Sequence, residues 1–485
     1  MRSRRLSALS AGPACFLLVL AWPAESLTRE AHLLAAVLAW AVVYWIVEAI
    51  PHAVTALLTS VLAIVLGIAS PTTVLAPYAD PIIFLFIGSF MLAEAMRGSG
   101  LDTRFALSLL RHPWVTRTPR RLMGAVGTIA CAISLWVSNT ATTAMMLPIG
   151  IGLIRALGTA GDTAQSRFAI GLLLMLTWGS SVAVGVPVGS PPNLIAITML
   201  RGAGHRLTFF DWIAVAMPLT VVMLALSWAI LALRYGRPVA SIGDVERHVA
   251  ALRQTVPPWS RAQLNVLAVF LLVVALWTVP GVLALLVSPD AVAVRWLERH
   301  LPESVVALLA AILLFVLPTD LGRGEFTLTW RDAARIDWGT ILLFGGGLSL
   351  GRLMFETGLA RAVGDAVLQV SGATSVWSLT AVAITAGLLL SETASNTASA
   401  SVVVPTMIAV ADGLGVSPVP PALGAALGAS FGFMLPVSTP PNAIVYGSGL
   451  VPLRDMIRSG ILLDVLGAIL IWLGLRVLCP LLGIM

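Results

Sequence analysis

Apolar runs of spanning or near-spanning length follow one another along almost the whole chain. They fall near 31–49, 52–69, 81–97, 122–157, 168–200, 211–233, 264–288, 303–318, 338–356, 375–410, 419–450 and 459–482. A bilayer core takes roughly 20 apolar helical residues to cross. Only 11% of the 485 residues are charged, and 58% are hydrophobic. Soluble domains carry about 25% charged residues, so this chain cannot cover a globular surface with polar groups. A soluble enzyme, a nucleic-acid-binding protein and a disordered chain are excluded. The expected fold is an all-α polytopic membrane protein of about 11 transmembrane helices.

The net charge of +6 comes entirely from arginine, because the chain has no lysine. The arginines cluster in short loops, which is the positive-inside pattern rather than a nucleic-acid footprint. Arg2, Arg4 and Arg5 place the N-terminus in the cytoplasm. The run from Ala11 to Ala21 reads as a retained first helix, with a cleaved signal peptide as the alternative. Counting crossings puts Arg97, Arg104, Arg111, Arg117, Arg120 and Arg121 inside as well. Arg155, Arg167 and the 236–263 linker stay on that side only if 122–157 is a re-entrant hairpin rather than one crossing. Arg201 and Arg206 fall on the opposite side. Cys15, Cys131 and Cys479 lie far apart, and neither they nor the six histidines have metal spacing. Arginine-only basic usage and the alanine-rich composition point to a GC-rich bacterial genome.

The chain repeats itself. Ser138-Asn139-Thr140, running on to Pro148, returns as Ser395-Asn396-Thr397, running on to Pro405, at 395 − 138 = 257. Ser190-Pro191-Pro192-Asn193 returns as Thr439-Pro440-Pro441-Asn442, at 439 − 190 = 249. Phe86, Gly88 and Leu92 match Phe344, Gly346 and Leu350, and 51–66 resembles 302–317. Four blocks in one order at near-constant offset define repeats at 31–235 and 264–485, after a first helix within 1–30. The crossing count makes the repeats antiparallel, as in secondary transporters, whose sites lie at the repeat interface near the midplane.

Each repeat carries two devices. The runs 122–157 and 375–410 read as hairpins with Ser-Asn-Thr at the tip. Ser and Asn cap helices well, and a helix start at such a tip offers free N–H groups to an anion. The runs 168–200 and 419–450 are broken by Pro-Pro, which cannot continue a helix. Unwound backbone at that depth is tolerated where it lines a cavity, and its carbonyls can coordinate a cation. No Arg, Lys or His lies in 122–154, 168–200 or 373–450. A bound anion there finds no cationic side chain, so co-bound cations held by oxygen ligands are the economical counter-charge. Glu48, Glu94 and Glu392 read as membrane carboxylates, and Glu392 lies three residues before the second tip. It can relay a proton or make a structural hydrogen bond.

These residues resemble the divalent anion:sodium symporter family, the solute carrier 13 or INDY-like dicarboxylate carriers. The resemblance runs from Glu48-Ala-Ile-Pro51 through Asn442 and rests on the paired Ser-Asn-Thr and Pro-Pro-Asn segments. It implies a homodimer with an elevator-type movement, sodium ions as co-transported cofactor and no catalytic residues. It implies sodium ligands at Ser134, Ser138, Asn139 and Gly189, and at Ser391, Ser395, Asn396 and Ser438. Substrate carboxylates would meet Ser138, Asn139, Thr140, Ser190, Ser395, Asn396, Thr397, Thr439 and Pro440. Two intact Ser-Asn-Thr clusters look like the C4-dicarboxylate carriers. A sodium-independent exchanger, a citrate or sulfate carrier, a channel and a membrane-embedded enzyme are the alternatives. No His-Glu-x-x-His or paired catalytic aspartate supports the last.

Overall fold

The computed structural model describes residues 2–24, 27–110, 112, 114–115, 117–156, 163–236, 251, 258–288 and 291–485. Most of the 236–263 linker, with Arg237, Arg247 and Arg253, lies outside the described residues, as does Arg111. The first half holds α1 (Arg2–Ala21), α2 (Arg29–Val47), α3 (His52–Val65), α4 (Pro71–Leu75), α5 (Pro81–Ser99) and α6 (Leu101–Leu110). It continues with α7 (Pro119–Ser134), α8 (Asn139–Ala156), α9 (Thr163–Ser181), α10 (Pro191–Gly202) and α11 (Phe209–Tyr235). The second half holds α12 (Arg261–Leu286), α13 (Val292–His300), α14 (Glu303–Val316), the ribbon β1 (Pro318–Asp320) and β2 (Glu325–Phe326), and α15 (Trp330–Ala333). It ends with α16 (Trp338–Glu356), α17 (Leu359–Ser371), α18 (Val376–Thr393), α19 (Asn396–Gly413), α20 (Val419–Ser430), α21 (Pro440–Gly447) and α22 (Leu453–Leu481).

Among the described residues, seven helices are long and apolar enough to cross a membrane, or eight if the bent pair α13–α14 counts as one span. The helices α3, α7, α10, α20 and α21 are shorter, and α7, α10, α20 and α21 flank the turns and breaks that carry the paired motifs. Glu48 ends α2 in the left-handed region at φ 48°, at a helix terminus, and Glu94 pairs with Arg97 at 2.6 Å. Neither carboxylate belongs to the hairpins.

The helices pair crosswise between the halves. Helix α5 packs on α14, and its counterpart α16 packs on α3, the counterpart of α14. Helix α10 packs on α19 and α20, and α21 packs on α8 and α9. The long α11 and α22 pack on each other. Small residues permit the closest of these approaches, which is how helices associate where lipid supplies no hydrophobic drive. A Cβ on Gly88 would fall on the Ala307 backbone, and one on Gly346 would fall 2.7 Å from Ala56 Cβ. Gly88 and Gly346 are repeat equivalents, and so are Ala56 and Ala307. Gly88→Val is therefore expected to destabilise the α5–α14 seam by about 1–3 kcal/mol, an overpacking cost. A thermal-unfolding midpoint in detergent lower than wild type by several degrees is the check.

The loops rich in arginine adjoin one another. Arg167 donates to Arg234 O at 3.0 Å, Arg234 to Arg458 O at 3.0 Å, and Arg120 to Gly236 O at 3.2 Å. Tyr235 Oη donates to Asp455 at 2.9 Å. The start of α7, the first turns of α9, the end of α11 and the start of α22 thus share one face of the molecule.

Candidate functional site

Each Ser-Asn-Thr segment sits at the turn between two antiparallel helical arms. Helix α7 ends at Ser134 and α8 begins at Asn139; α18 ends at Thr393 and α19 begins at Asn396. The tip serines cap the returning arms. Ala141 N donates to Ser138 Oγ at 3.3 Å, and Ala398 N donates to Ser395 Oγ at 3.1 Å. Capping satisfies one of the orphan donors at each helix start, and the remaining N–H groups keep the positive end of the dipole at the tip. Thr140 is exposed, whereas its equivalent Thr397 is buried.

Behind each tip, oxygens converge. Ser134 Oγ donates to Asn139 Oδ1 at 2.7 Å. The same amide position lies 3.3 Å from Ser180 O and 3.2 Å from Gly189 O. With nitrogen at that position, the amide donates to all three partners. With oxygen there, four oxygens face one another with a single hydroxyl proton among them, an arrangement that a cation stabilises. The two orientations differ only by an amide rotation. In the second half, Ser391 Oγ lies 2.7 Å from both Asn396 Oδ1 and Ala429 O, and Asn396 Nδ2 donates to Ser430 O at 3.3 Å. Ala429 and Ser180 are equivalent by the 249-residue offset, so both clusters draw on the same carbonyl of the adjoining broken helix.

The breaks fall at 182–190 and 431–439, between α9 and α10 and between α20 and α21. The Pro-Pro-Asn asparagines close them from within. Asn193 Nδ2 donates to Val184 O at 3.2 Å and Val186 O at 3.1 Å; Asn442 Nδ2 donates to Gly432 O and Leu435 O, each at 3.1 Å. Ser438 Oγ lies 2.8 Å from Gly432 O. Gly189 is required for close approach, because a Cβ there would meet Ala183 O and would lie 3.3 Å from Leu135 O of the first hairpin. Thr439 Oγ1 accepts from Asn442 N at 3.3 Å and so caps α21, while Pro440 is exposed at its start.

The two halves meet at these breaks. Ser190 Oγ lies 3.2 Å from Ser430 Oγ, and Thr177 Oγ1 donates to Asn442 Oδ1 at 3.0 Å. Ser134, Asn139 and Gly189 come together, as do Ser391 and Asn396, with Ser438 beside Ser391 across Gly432. Among the described residues, no hydrogen bond joins the Ser138 tip to the Ser395 tip.

Glu392 points from the second hairpin into the second break. It accepts from Met434 N at 3.0 Å and Leu435 N at 3.2 Å. Asp464 of α22 accepts from Phe433 N at 3.3 Å. Two buried carboxyls thus hold three consecutive amides of the unwound segment. Asp464 is absent from the sequence-based candidates, although it is the one acidic residue in the 459–482 run. Among the described residues, the first break has no such pair. Leu135 stands at the position of Glu392, and Thr220 of α11 faces Gly185.

Comparison with known proteins places the chain in a family. The family profile described as the sodium:sulfate symporter transmembrane region matches residues 3–485. A protein of Staphylococcus saprophyticus named sodium-dependent dicarboxylate transporter SdcS is 31% identical, covering 98% of this chain and 92% of that one. Its Staphylococcus aureus namesake is 30% identical, covering 98% and 91%. Among solved structures, the Alcanivorax borkumensis YdaH transporter, described as having an unusual topology, aligns with a TM-score of 0.51 over 85% of this chain and 88% of that one. At 15% identity that likeness concerns the fold alone.

Proposed function

The chain belongs to the sodium:sulfate symporter family, and we propose that it is a secondary transporter that carries a C4-dicarboxylate across the membrane together with sodium. The observation that carries the reading is the pair of oxygen clusters at Ser134–Asn139–Gly189 and Ser391–Asn396–Ala429, each set behind a capped helix start. Sodium prefers hard oxygen ligands, and the clusters offer hydroxyl, amide and carbonyl oxygens with no cationic side chain in the flanking segments. Sodium at both places supplies the positive charge that a dianion between the tips needs. Helix dipoles alone contribute about half a charge each. The names of the staphylococcal relatives support both the dicarboxylate and the sodium parts of the reading.

Within this reading, Asn139, Thr140, Asn396 and Thr397 face the substrate carboxylates, with Ser190, Thr439 and Pro440 nearby. Chemistry on the substrate is not involved; the work is binding and movement. Each repeat contributes one hairpin and one broken helix, and the protein works as a homodimer whose hairpin-bearing part shifts across the membrane in an elevator movement. The N-terminus and the arginine-rich face are cytoplasmic.

Labelled succinate uptake into proteoliposomes tests the reading, with an inward sodium gradient and with sodium replaced by choline. Sodium-dependent uptake supports it. Uptake that ignores sodium but needs dicarboxylate inside identifies an exchanger, and uptake of sulfate alone moves the substrate class. Ser134→Ala and Ser391→Ala are each expected to raise the half-saturating sodium concentration on the order of tenfold, which corresponds to ~1.4 kcal/mol. Unchanged sodium curves in both variants would remove the oxygen clusters from the coupling mechanism.

A further inference from the structure

A cavity of about 320 Å³ opens on the face away from the arginine-rich loops. Its walls come from the N-terminal turns of α5 and α14 on one side, and from the first break, α10 and the start of α11 on the other. Ile82, Leu194 and Phe209 make it largely apolar, and Pro187 of the break forms part of the lining. Two charged residues of opposite sign, Arg201 and Glu303, complete it.

These two charges do not satisfy each other. The ion pairs among the described residues join Arg97 to Glu94, Arg323 to Asp320, Arg335 to Asp332 and Arg352 to Glu356. None involves Arg201 or Glu303, which face one cavity without pairing. A site of this size, with apolar walls and few polar groups, has the anatomy of a small-molecule pocket. An anion alone would meet Glu303, and a cation alone would meet Arg201. The complementary occupant carries both signs and an apolar body.

We propose that this cavity binds a zwitterionic aminophospholipid of the ethanolamine class, with its phosphate at Arg201 and its ammonium at Glu303. A membrane lipid fits better than a soluble zwitterion because the cavity lies between the N-terminal turns of α5, α11 and α14 in a chain of apolar, membrane-spanning helices. Its edge also continues into apolar surface: Val305 in its wall is 42% exposed, and Phe84 and Leu309 on the same two helices are 39% and 38% exposed. Basic groups in pockets between spanning helices are known to hold lipid phosphates, and Arg201 supplies such a group here. An arginine offers phosphate a planar fork of donors, and an ammonium offers Glu303 N–H donors that a choline headgroup lacks. Bound there, the lipid bridges the α5–α14 pair to the first break. The site follows from the cavity and its charges and stands independently of which solute the protein carries.

The test is native mass spectrometry of the full chain, delipidated in detergent and offered phosphatidylethanolamine, phosphatidylcholine or phosphatidylglycerol. Phosphatidylethanolamine is expected to be retained at least severalfold more than either of the others. Arg201→Gln should lower retention of phosphatidylethanolamine severalfold, since it removes the phosphate's partner, and Glu303→Gln should abolish the preference for it. A second readout covers any variant that purifies poorly: phosphatidylethanolamine should raise the wild-type thermal midpoint, as any ligand selective for the native state does, more than phosphatidylglycerol does. Equal retention of phosphatidylethanolamine and phosphatidylglycerol would overturn the proposal, since a pocket blind to the ammonium does not use Glu303. Wild-type retention in both variants would overturn it equally.

Discussion

Asn139→Ala and Asn396→Ala are each expected to abolish sodium-driven uptake while leaving the protein monodisperse and folded. Both asparagines open a helix at a capped tip, with Ser138 and Ser395 supplying the caps. Alanine is the best helix former, so neither substitution threatens the arm that follows. The loss is local. Removing the Asn139 amide leaves Ser134 Oγ, Ser180 O and Gly189 O without the group that lies within 3.3 Å of all three. Removing the Asn396 amide leaves Ser430 O without its donor and Ser391 Oγ with Ala429 O alone. Each cluster loses the amide with which the first residue of the returning arm reaches the broken helix. Uptake below about a hundredth of wild type, the size of effect that ~2.7 kcal/mol produces, is the expected result. Gel filtration and thermal unfolding should stay near wild type. Near-normal uptake in both variants would take the tips out of the binding site.

Side chains that recur at a fixed offset are legible in the amino-acid sequence alone. The Ser-Asn-Thr tips, the Pro-Pro-Asn breaks and the Gly88–Gly346 correspondence are all side-chain signals, and the hairpins, the breaks and the tight helix pairs are built from them. Backbone oxygens carry no such signal. The carbonyls of Ser180, Ala429 and Ser430 enter the clusters because helices α9 and α20 end there, and any residue could supply them. Differences between the repeats are equally hidden. Thr177 satisfies Asn442 Oδ1, but its equivalent is Ala426, and the buried Asn193 Oδ1 has no hydrogen-bond partner. Asp464 stands in the sequence as a lone acid, and only the packing of α22 brings it to the amide of Phe433. A repeat announces what its copies share; their inequivalence depends on which neighbour each copy meets.

That inequivalence gives the second large effect. Gly189 and Ala183 in the first break correspond to Ser438 and Gly432 in the second, both at an offset of 249 residues, as 438 − 189 and 432 − 183 show. The space is arranged in opposite ways. In the first break the glycine is at 189, where a Cβ would strike Ala183 O. In the second, the glycine is at 432, and the Ser438 hydroxyl reaches Gly432 O at 2.8 Å and Leu435 O at 2.9 Å. Gly189→Ser therefore forces a side chain against a backbone carbonyl at the place where the break touches Leu135 of the first hairpin. Uptake is expected to fall to background. Ala183→Gly by itself removes only a buried methyl and adds backbone freedom, so it should cost a modest fraction of activity. Combined with Gly189→Ser, it recreates the pattern of the second break. The glycine lets the 183 carbonyl swing toward the new hydroxyl and accept its hydrogen bond. The double variant should recover a measurable part of the sodium-dependent uptake that the single serine variant loses, a non-additive result of the kind contacting residues show. Additive losses, with the double variant as dead as Gly189→Ser, would mean that the first break tolerates no side chain at 189 whatever its neighbour, and that the two breaks are built on different backbone geometries despite their shared sequence.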